Sequence, residues 1–144
     1  IGNVVYGRRS LVPCTALAAV EMIESTGVEL KGSKCVVIGA SNIVGKPIAV
    51  LLMRAEATVI STNEYTEDLA GLTRTADVLV SAAGVPGLIT ADMVKPGAVV
   101  IDVYPGRECM DIEKDGKGTV IGKVVLAVRA PGGQNDGMTT DFVA

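Results

Sequence analysis

The stretch that decides the fold runs from Lys34 to Ala55, KCVVIGASNIVGKPIAVLLMRA. Cys35, Val36, Val37 and Ile38 form an unbroken apolar run, which suits a parallel strand covered on both faces. Gly39 ends that strand, and Gly45 and Pro47 open a helix that carries Ile48, Val50, Leu51 and Leu52. Proline is tolerated there because first-turn amides have no helical partner to lose. Those amides and the helix dipole make the turn a natural anion site. A dinucleotide pyrophosphate is the usual occupant when such a turn follows the first strand of a doubly wound sheet. The glycine spelling departs from GxGxxG, because Ser41 stands where the second glycine would be. On spacing alone, a ligand-free strand-turn-helix with glycines for close packing remains an alternative.

Working outward, the chain alternates strand and helix. On the amino side, residues 1 to 12 show no clear period and read as a connecting or edge segment. Pro13-Cys14-Thr15 starts a helix with Thr15 as N-cap. Its apolar face is Ala16, Ala19, Val20 and Ile23, and Gly27 closes it. On the carboxyl side, Ala57 to Ser61 is a second strand with Asn63 and Glu64 in the loop at its end. Thr66 is expected to cap a short helix whose Leu69 and Leu72 face inward. Strands at Val78 to Ser81 and Ala98 to Val103 follow, separated by a turn at Ala82 to Pro86 and a helical turn near Thr90 to Val94. Asp115-Gly116-Lys117-Gly118 predicts a hairpin between Met110–Ile112 and Thr119–Ile121. Val124 to Val128 is a further strand, and a helix is expected from Gly137. The fold class that follows is α/β, a doubly wound (Rossmann-like) parallel sheet with helices on both faces and a late hairpin excursion.

Composition agrees and excludes several functions. At 144 residues the chain makes one domain with room for a real core. Hydrophobic residues make up 49% and aromatics only 3%, so the core is built from aliphatic side chains. A net charge of -3 with scattered Lys and Arg gives no nucleic-acid surface. No apolar run reaches membrane-spanning length, and the amino terminus does not read as a signal peptide. With no histidine, imidazole catalysis and histidine metal sites are excluded. Cys14, Cys35 and Cys109 lack metal-ligand spacing and read as reduced thiols of a cytoplasmic protein. Cys14 is expected to be a packed small residue rather than a nucleophile, and Lys46 a solvated lysine.

The order PCT, VIGxSxxVGxP, TADMVKPGAVVIDV, PGG and GMT resembles the C-terminal NAD(P)-binding domain of methylenetetrahydrofolate dehydrogenase/cyclohydrolase, over nearly the whole chain from Gly2 to Thr140. The resemblance implies an oxidoreductase of folate one-carbon metabolism. Its chemistry rests on a Tyr-x-x-x-Lys motif in a separate amino-terminal domain. That motif is missing here: Tyr6, Tyr65 and Tyr104 are followed four positions on by Ser10, Leu69 and Glu108. The chain, which begins at Ile1, is therefore expected to be a fragment or a lone domain, with no catalytic residue and no metal of its own. Methylene-tetrahydrofolate would be held by the separate domain, and a homodimer is compatible with the resemblance.

The resemblance also implies a cofactor site. Gly39, Ala40, Ser41, Ile43, Val44 and Gly45 would form the phosphate turn. Asn63 and Glu64 would follow the second strand, and Ala83, Gly84 and Pro86 the third. Asp102 and Val103 would end the next strand. Gly132, Gly133, Met138 and Thr139 would complete the final loop near nicotinamide and folate. Two departures bear on the cofactor. The family's arginine between Gly39 and Ser41, which pairs with the 2′-phosphate of NADP, is Ala40, and its His-Ser after the second strand is Asn63-Glu64. A carboxylate past the second strand suits the ribose hydroxyls of NAD and repels a 2′-phosphate. NAD is the expected cofactor, with NADP the less favoured one and Arg54 or Arg74 the candidates for a substitute phosphate contact. Tyr104-Pro105-Gly106-Arg107, Gly122-Lys123-Val124 and GGQNDGMT also depart from the family where nicotinamide and folate would meet. A nucleotide-binding or regulatory module, or a structural subunit without catalysis, is the alternative function.

Overall fold

The computed structural model describes residues 12–85, 87–104, 110–111, 120–125 and 142–143. Helix α1 spans Cys14–Ser25 and leads to strand β1, Lys34–Ile38. Helix α2 is Gly45–Arg54, β2 is Thr58–Thr62, α3 is Leu69–Thr73 and β3 is Val78–Ser81. A short β4, Ile89–Thr90, runs into a 3-10 turn at Ala91–Met93, and β5 is Val99–Tyr104. Three strands follow: β6 at Met110–Asp111, β7 at Val120–Val125 and β8 at Phe142–Val143.

Six strands form one sheet in the order β2-β1-β3-β5-β7-β8. All neighbours are parallel except β7 and β8. From β1 the chain first goes to β2 on one side, then crosses to β3 on the other. The strand order therefore reverses at β1, and the carboxyl ends of β1 and β3 flank the switch point where doubly wound sheets bind ligands.

Alternation along β1 explains the two layers. Cys35 and Val37 join Ile23, Ile48, Leu52, Val78 and Val80 in a core under α1 and α2. Val36 and Ile38 join Leu79, Ile89 and Val100 in a second core, against which Leu69 and Met93 pack. Because both faces are covered, Val36 and Val37 are each fully buried. The apolar run signalled this, since a half-exposed strand would have alternated.

Several expectations are corrected. The N-cap of α1 is Pro13, with no side-chain cap, and Thr15 lies inside the first turn. The α3 cap is Asp68, whose side chain accepts the Gly71 amide at 3.1 Å. The Thr66 hydroxyl instead accepts the Asn63 amide at 2.9 Å. The late hairpin does not form between its predicted arms. Met110–Asp111 pairs in parallel with β4 in a separate two-stranded sheet, while Val120–Val125 pairs in parallel with β5. The apolar stretch after Thr119 gains more by extending the covered sheet than by closing a solvent-exposed ribbon. The last expected strand and the second hairpin arm are thus largely one element. Phe142–Val143, expected in a helix, runs antiparallel to β7. The hairpin turn itself lies outside the described residues. Gly27 does close α1, at φ +81°.

At the amino edge of the sheet Asp77 ties three strands together. Its carboxylate accepts the Lys34 amide at 3.0 Å and the Lys95 ammonium at 2.5 Å. Its backbone N–H donates to Lys34 and its carbonyl accepts from Val99. The Lys95 hydrogen bond, and then that of the Lys34 amide, hold the Asp77 carboxyl below the usual carboxylate range. A depressed folded-state value means the stabilisation is complete above the unfolded value near ~4 and disappears as pH falls through the lower folded one. Both side chains are partly exposed, so the effect is modest. Urea unfolding midpoints should therefore fall as pH is taken from about 5 to about 2.5, and Asp77→Asn should lower the neutral midpoint and flatten that slope.

Candidate functional site

The carboxyl edge of the sheet is built around contact between two glycines. Gly39, at φ +96°, turns the chain out of β1, and a Cβ on it would lie 2.6 Å from the Ala82 carbonyl oxygen. A Cβ on Gly45 would lie 1.6 Å from the Gly39 carbonyl oxygen. Only hydrogen at both positions lets α2 start directly on the end of β1. The Gly39 amide donates to Thr62 at 3.1 Å and the Ala82 amide to Ile38 at 2.7 Å. The ends of β1, β2 and β3 are thereby locked side by side. Sequence reading missed Ala82 and Thr62 here. A small residue opposite Gly39 is a faint signal for the first, and nothing marks the second.

Ser41 organises the turn between them. Its hydroxyl oxygen accepts from the Val44 amide at 3.2 Å and the Gly45 amide at 3.3 Å, and its carbonyl accepts from Lys46 at 2.9 Å. The first-turn amides of α2 are therefore occupied by Ser41, not left unpaired as expected. The amides of Ser41, Asn42 and Ile43, three consecutive exposed residues, make no hydrogen bond among the described residues. A run of unpaired amides before a helix start suits a phosphate. A serine in place of the second glycine thus supplies a hydroxyl and moves the donors into the turn. Lys46 stays exposed and pairs with Asn42 at 2.6 Å.

The other predicted residues fall partly at this edge. Ile38 pairs in register with Thr62 and Ser81. Ala40 and Glu64 each lie two residues beyond the Ile38–Thr62 pair, and Asn63 and Glu64 are exposed. Ala83 is half-buried and Gly84 exposed just past β3. Asp102, in register with Ser81, is 4% exposed, and Val103 is also buried. These two belong to the floor of the sheet end rather than to its rim. Pro86, Gly132, Gly133, Met138 and Thr139 lie outside the described residues.

Cations are unevenly placed. Of the residues whose side chains are described, Lys31, Lys34, Arg54, Arg74 and Lys95 all belong to the opposite, amino edge. Lys31 pairs with Glu56 just past α2, at 2.8 Å, and Arg54 ends that helix. Ten residues of helix separate it from the glycine turn, about 15 Å. Arg74 donates to the Asp92 carbonyl at 2.9 Å and pairs with its carboxylate at 3.5 Å. Neither arginine therefore sits at the crevice. A depression of about 410 Å³ also lies at the amino edge, lined by Lys31, Ser33, Asp77 and Lys95. Lys31, Asp77 and Lys95 there are already paired with each other or with Glu56, and the remaining lining charge is the carboxylate of Glu29, so no free cation faces the depression.

Neither described cysteine is placed for nucleophilic chemistry. Burial pushes the Cys35 thiol up despite its contact with Ser33, and Cys14 is exposed, not packed as expected. Among the described residues no cluster of side chains could hold a metal ion, and no helix is long and apolar enough to cross a membrane.

Residues 13–130 match the family described as tetrahydrofolate dehydrogenase/cyclohydrolase, NAD(P)-binding domain. The chain belongs to that family. A bifunctional protein FolD 2 of Mesorhizobium japonicum is 51% identical over 124 residues, covering 86% of this chain and 40% of the relative. The FolD 2 of Bordetella pertussis is 45% identical over 137 residues, covering 92% and 47%. The chain thus spans less than half the length of these curated relatives. Among solved structures, the Trypanosoma brucei methylenetetrahydrofolate dehydrogenase-cyclohydrolase, complexed with NADP and an inhibitor, superposes with a TM-score of 0.71 at 33% identity. It covers 88% of this chain and 48% of that one. The NAD-dependent 5,10-methylenetetrahydrofolate dehydrogenase of Saccharomyces cerevisiae gives 0.67 at 25% identity, with 86% and 52% covered. The resemblance read from PCT and VIGxSxxVGxP is therefore correct, and this is an NAD(P)-binding domain.

The glycine contact gives a direct test. Gly45→Ala should cost about 2 to 3 kcal/mol, because the methyl meets backbone that cannot move without shifting α2. Chemical denaturation measures that loss. Ser41→Ala frees the Val44 and Gly45 amides, so it should lower stability by about 0.5 to 1 kcal/mol, as loss of a helix cap does, and weaken dinucleotide binding.

Proposed function

We propose that this domain prefers NAD⁺ over NADP⁺ and presents it to methylene-tetrahydrofolate held by a separate domain, as part of a dehydrogenase. NAD⁺ would supply the hydride acceptor. The chain's own residues bind and orient. The Ser41–Ile43 amides and the Ser41 hydroxyl would take the pyrophosphate. Glu64 would accept hydrogen bonds from the adenosine ribose, and Ala83 and Gly84 would border the cofactor where β3 ends. Gly132, Gly133 and Thr139 are proposed for the nicotinamide end by resemblance alone. No acid-base residue of this chain is assigned to catalysis, and a cytoplasmic setting fits its free thiols.

The observation that carries the preference is that Ala40 and Glu64 each lie two residues beyond the last register pair of β1 and β2, Ile38–Thr62. The position that suits a 2′-phosphate has lost its arginine, and the neighbouring strand end has gained a carboxylate. A phosphate beside that carboxylate would be repelled, whereas ribose hydroxyls would be accepted. Lys46, the one crevice-side cation whose side chain is described, already pairs with Asn42. The relatives include an NADP complex and an NAD-dependent enzyme, so the family alone does not decide.

Calorimetric titration of the chain with NAD⁺ and then NADP⁺ in one buffer tests the proposal. NAD⁺ should bind at least about tenfold more tightly, the equivalent of ~1.4 kcal/mol. The double variant Ala40→Arg with Glu64→Ser should reverse the order. Tighter NADP⁺ binding by the unaltered chain would overturn the preference and leave the family intact.

A further inference from the structure

The large apolar side chains left in water are not scattered. Among the described residues they are Leu17, Ile43, Met53, Tyr65 and Val85. Leu17 and Met53 lie on α1 and α2. The other three lie on the loops that leave β1, β2 and β3 at the carboxyl edge. Tyr65 is the most exposed, at 83%, and Ile43 follows at 77%. Single exposed apolar side chains are ordinary, but three on the loops of one sheet edge, Ile43, Tyr65 and Val85, point to a binding surface there.

The loop that carries Tyr65 is braced. The Tyr65 amide donates to the Asn63 side-chain oxygen at 2.9 Å, and the Asn63 amide donates to the Thr66 hydroxyl at 2.9 Å. Short polar side chains thus fix the backbone, as in other Asx and Ser/Thr turns. The phenol itself makes no hydrogen bond among the described residues. Tyr65 directly follows Glu64, and its loop starts at Thr62, in register with the end of β1 from which the Ile43 turn departs.

Resting on the dinucleotide reading above, we propose that Tyr65 is the adenine platform of this site, with Ile43 as the second apolar wall. A purine offers two flat faces that stack on a ring or an aliphatic side chain without any edge being read. Glu64 then meets the ribose one residue away, so base and sugar are recognised by consecutive residues. Stacking supplies affinity, and Glu64 supplies discrimination. This arrangement assigns a role to a residue that neither the glycine turn nor the lost arginine explains.

Tyr65→Ala and Tyr65→Phe, titrated with NAD⁺ and with AMP, test the assignment. Tyr65→Ala should weaken both about tenfold, while Tyr65→Phe should stay within about twofold of the unaltered chain, because the ring and not the hydroxyl stacks. Binding of NAD⁺ should also quench tyrosine emission, readable because the chain has no tryptophan. Unchanged NAD⁺ affinity in Tyr65→Ala would overturn the platform and leave the dinucleotide reading standing. Equal losses in the Ala and Phe variants would overturn it too, since stacking would not be the cause. A changed oligomeric state with intact NAD⁺ affinity would give Tyr65 to a protein contact instead. Failure of the unaltered chain to bind either dinucleotide would remove the reading beneath the proposal.

Discussion

The close approach of Gly45 to the Gly39 carbonyl is the constraint on which the rest depends. It places the start of α2 directly against the end of β1, with no side chain between. Because the chain leaves β1 through Gly39 and returns through Gly45, the intervening loop must fold over the sheet edge. Ser41 then binds the amides at the helix opening, and the turn presents its own amides outward. A binding surface arises here because backbone packs on backbone, a contact that any Cβ would disrupt.

The two ends of the sheet have divided the work. At the amino edge charges are spent on structure: Asp77 binds Lys34 and Lys95, Lys31 meets Glu56, and Arg74 holds the 3-10 turn through Asp92. At the carboxyl edge the residues whose side chains are described are small, polar or conspicuously exposed, and Lys46 is the one cation among them. A dinucleotide carries its negative charge on the pyrophosphate. Backbone amides and a serine hydroxyl suit that charge without adding a cation that would also favour an extra phosphate. The proposed NAD preference rests on this same placement of charge.

Sequence signals and structure diverge where short-range preferences compete with sheet pairing. Asp-Gly-Lys-Gly is a strong hairpin spelling, yet its flanks pair with β4 and β5, because parallel neighbours were already in place to receive them. Thr15 and Thr66 are good capping residues by type, but Pro13 and Asp68 occupy the capping positions. Asp68 does so at φ +49°, a conformation that aspartate tolerates better than threonine. Such choices turn on one or two residues of register and cost too little to be visible in composition.

By itself the sequence determined the covered parallel sheet, the glycine turn and the family, because aliphatic runs, glycine spacing and long ordered motifs are local properties of the chain. It also singled out Ala40 and Glu64, on which the proposed cofactor preference rests. Only the tertiary structure decided which groups share the crevice. Register between β1 and β2 sets Ile38 beside Thr62, two residues before Ala40 and Glu64 respectively, and helix length carries Arg54 to the far edge. The Ser41 hydroxyl was found to occupy the helix amides, and Tyr65 to stand exposed beside Glu64. The register depends on contacts between residues distant in the chain, whereas the Ser41 bonds and the Tyr65 loop are local but take their geometry from where β1, β2 and α2 pack.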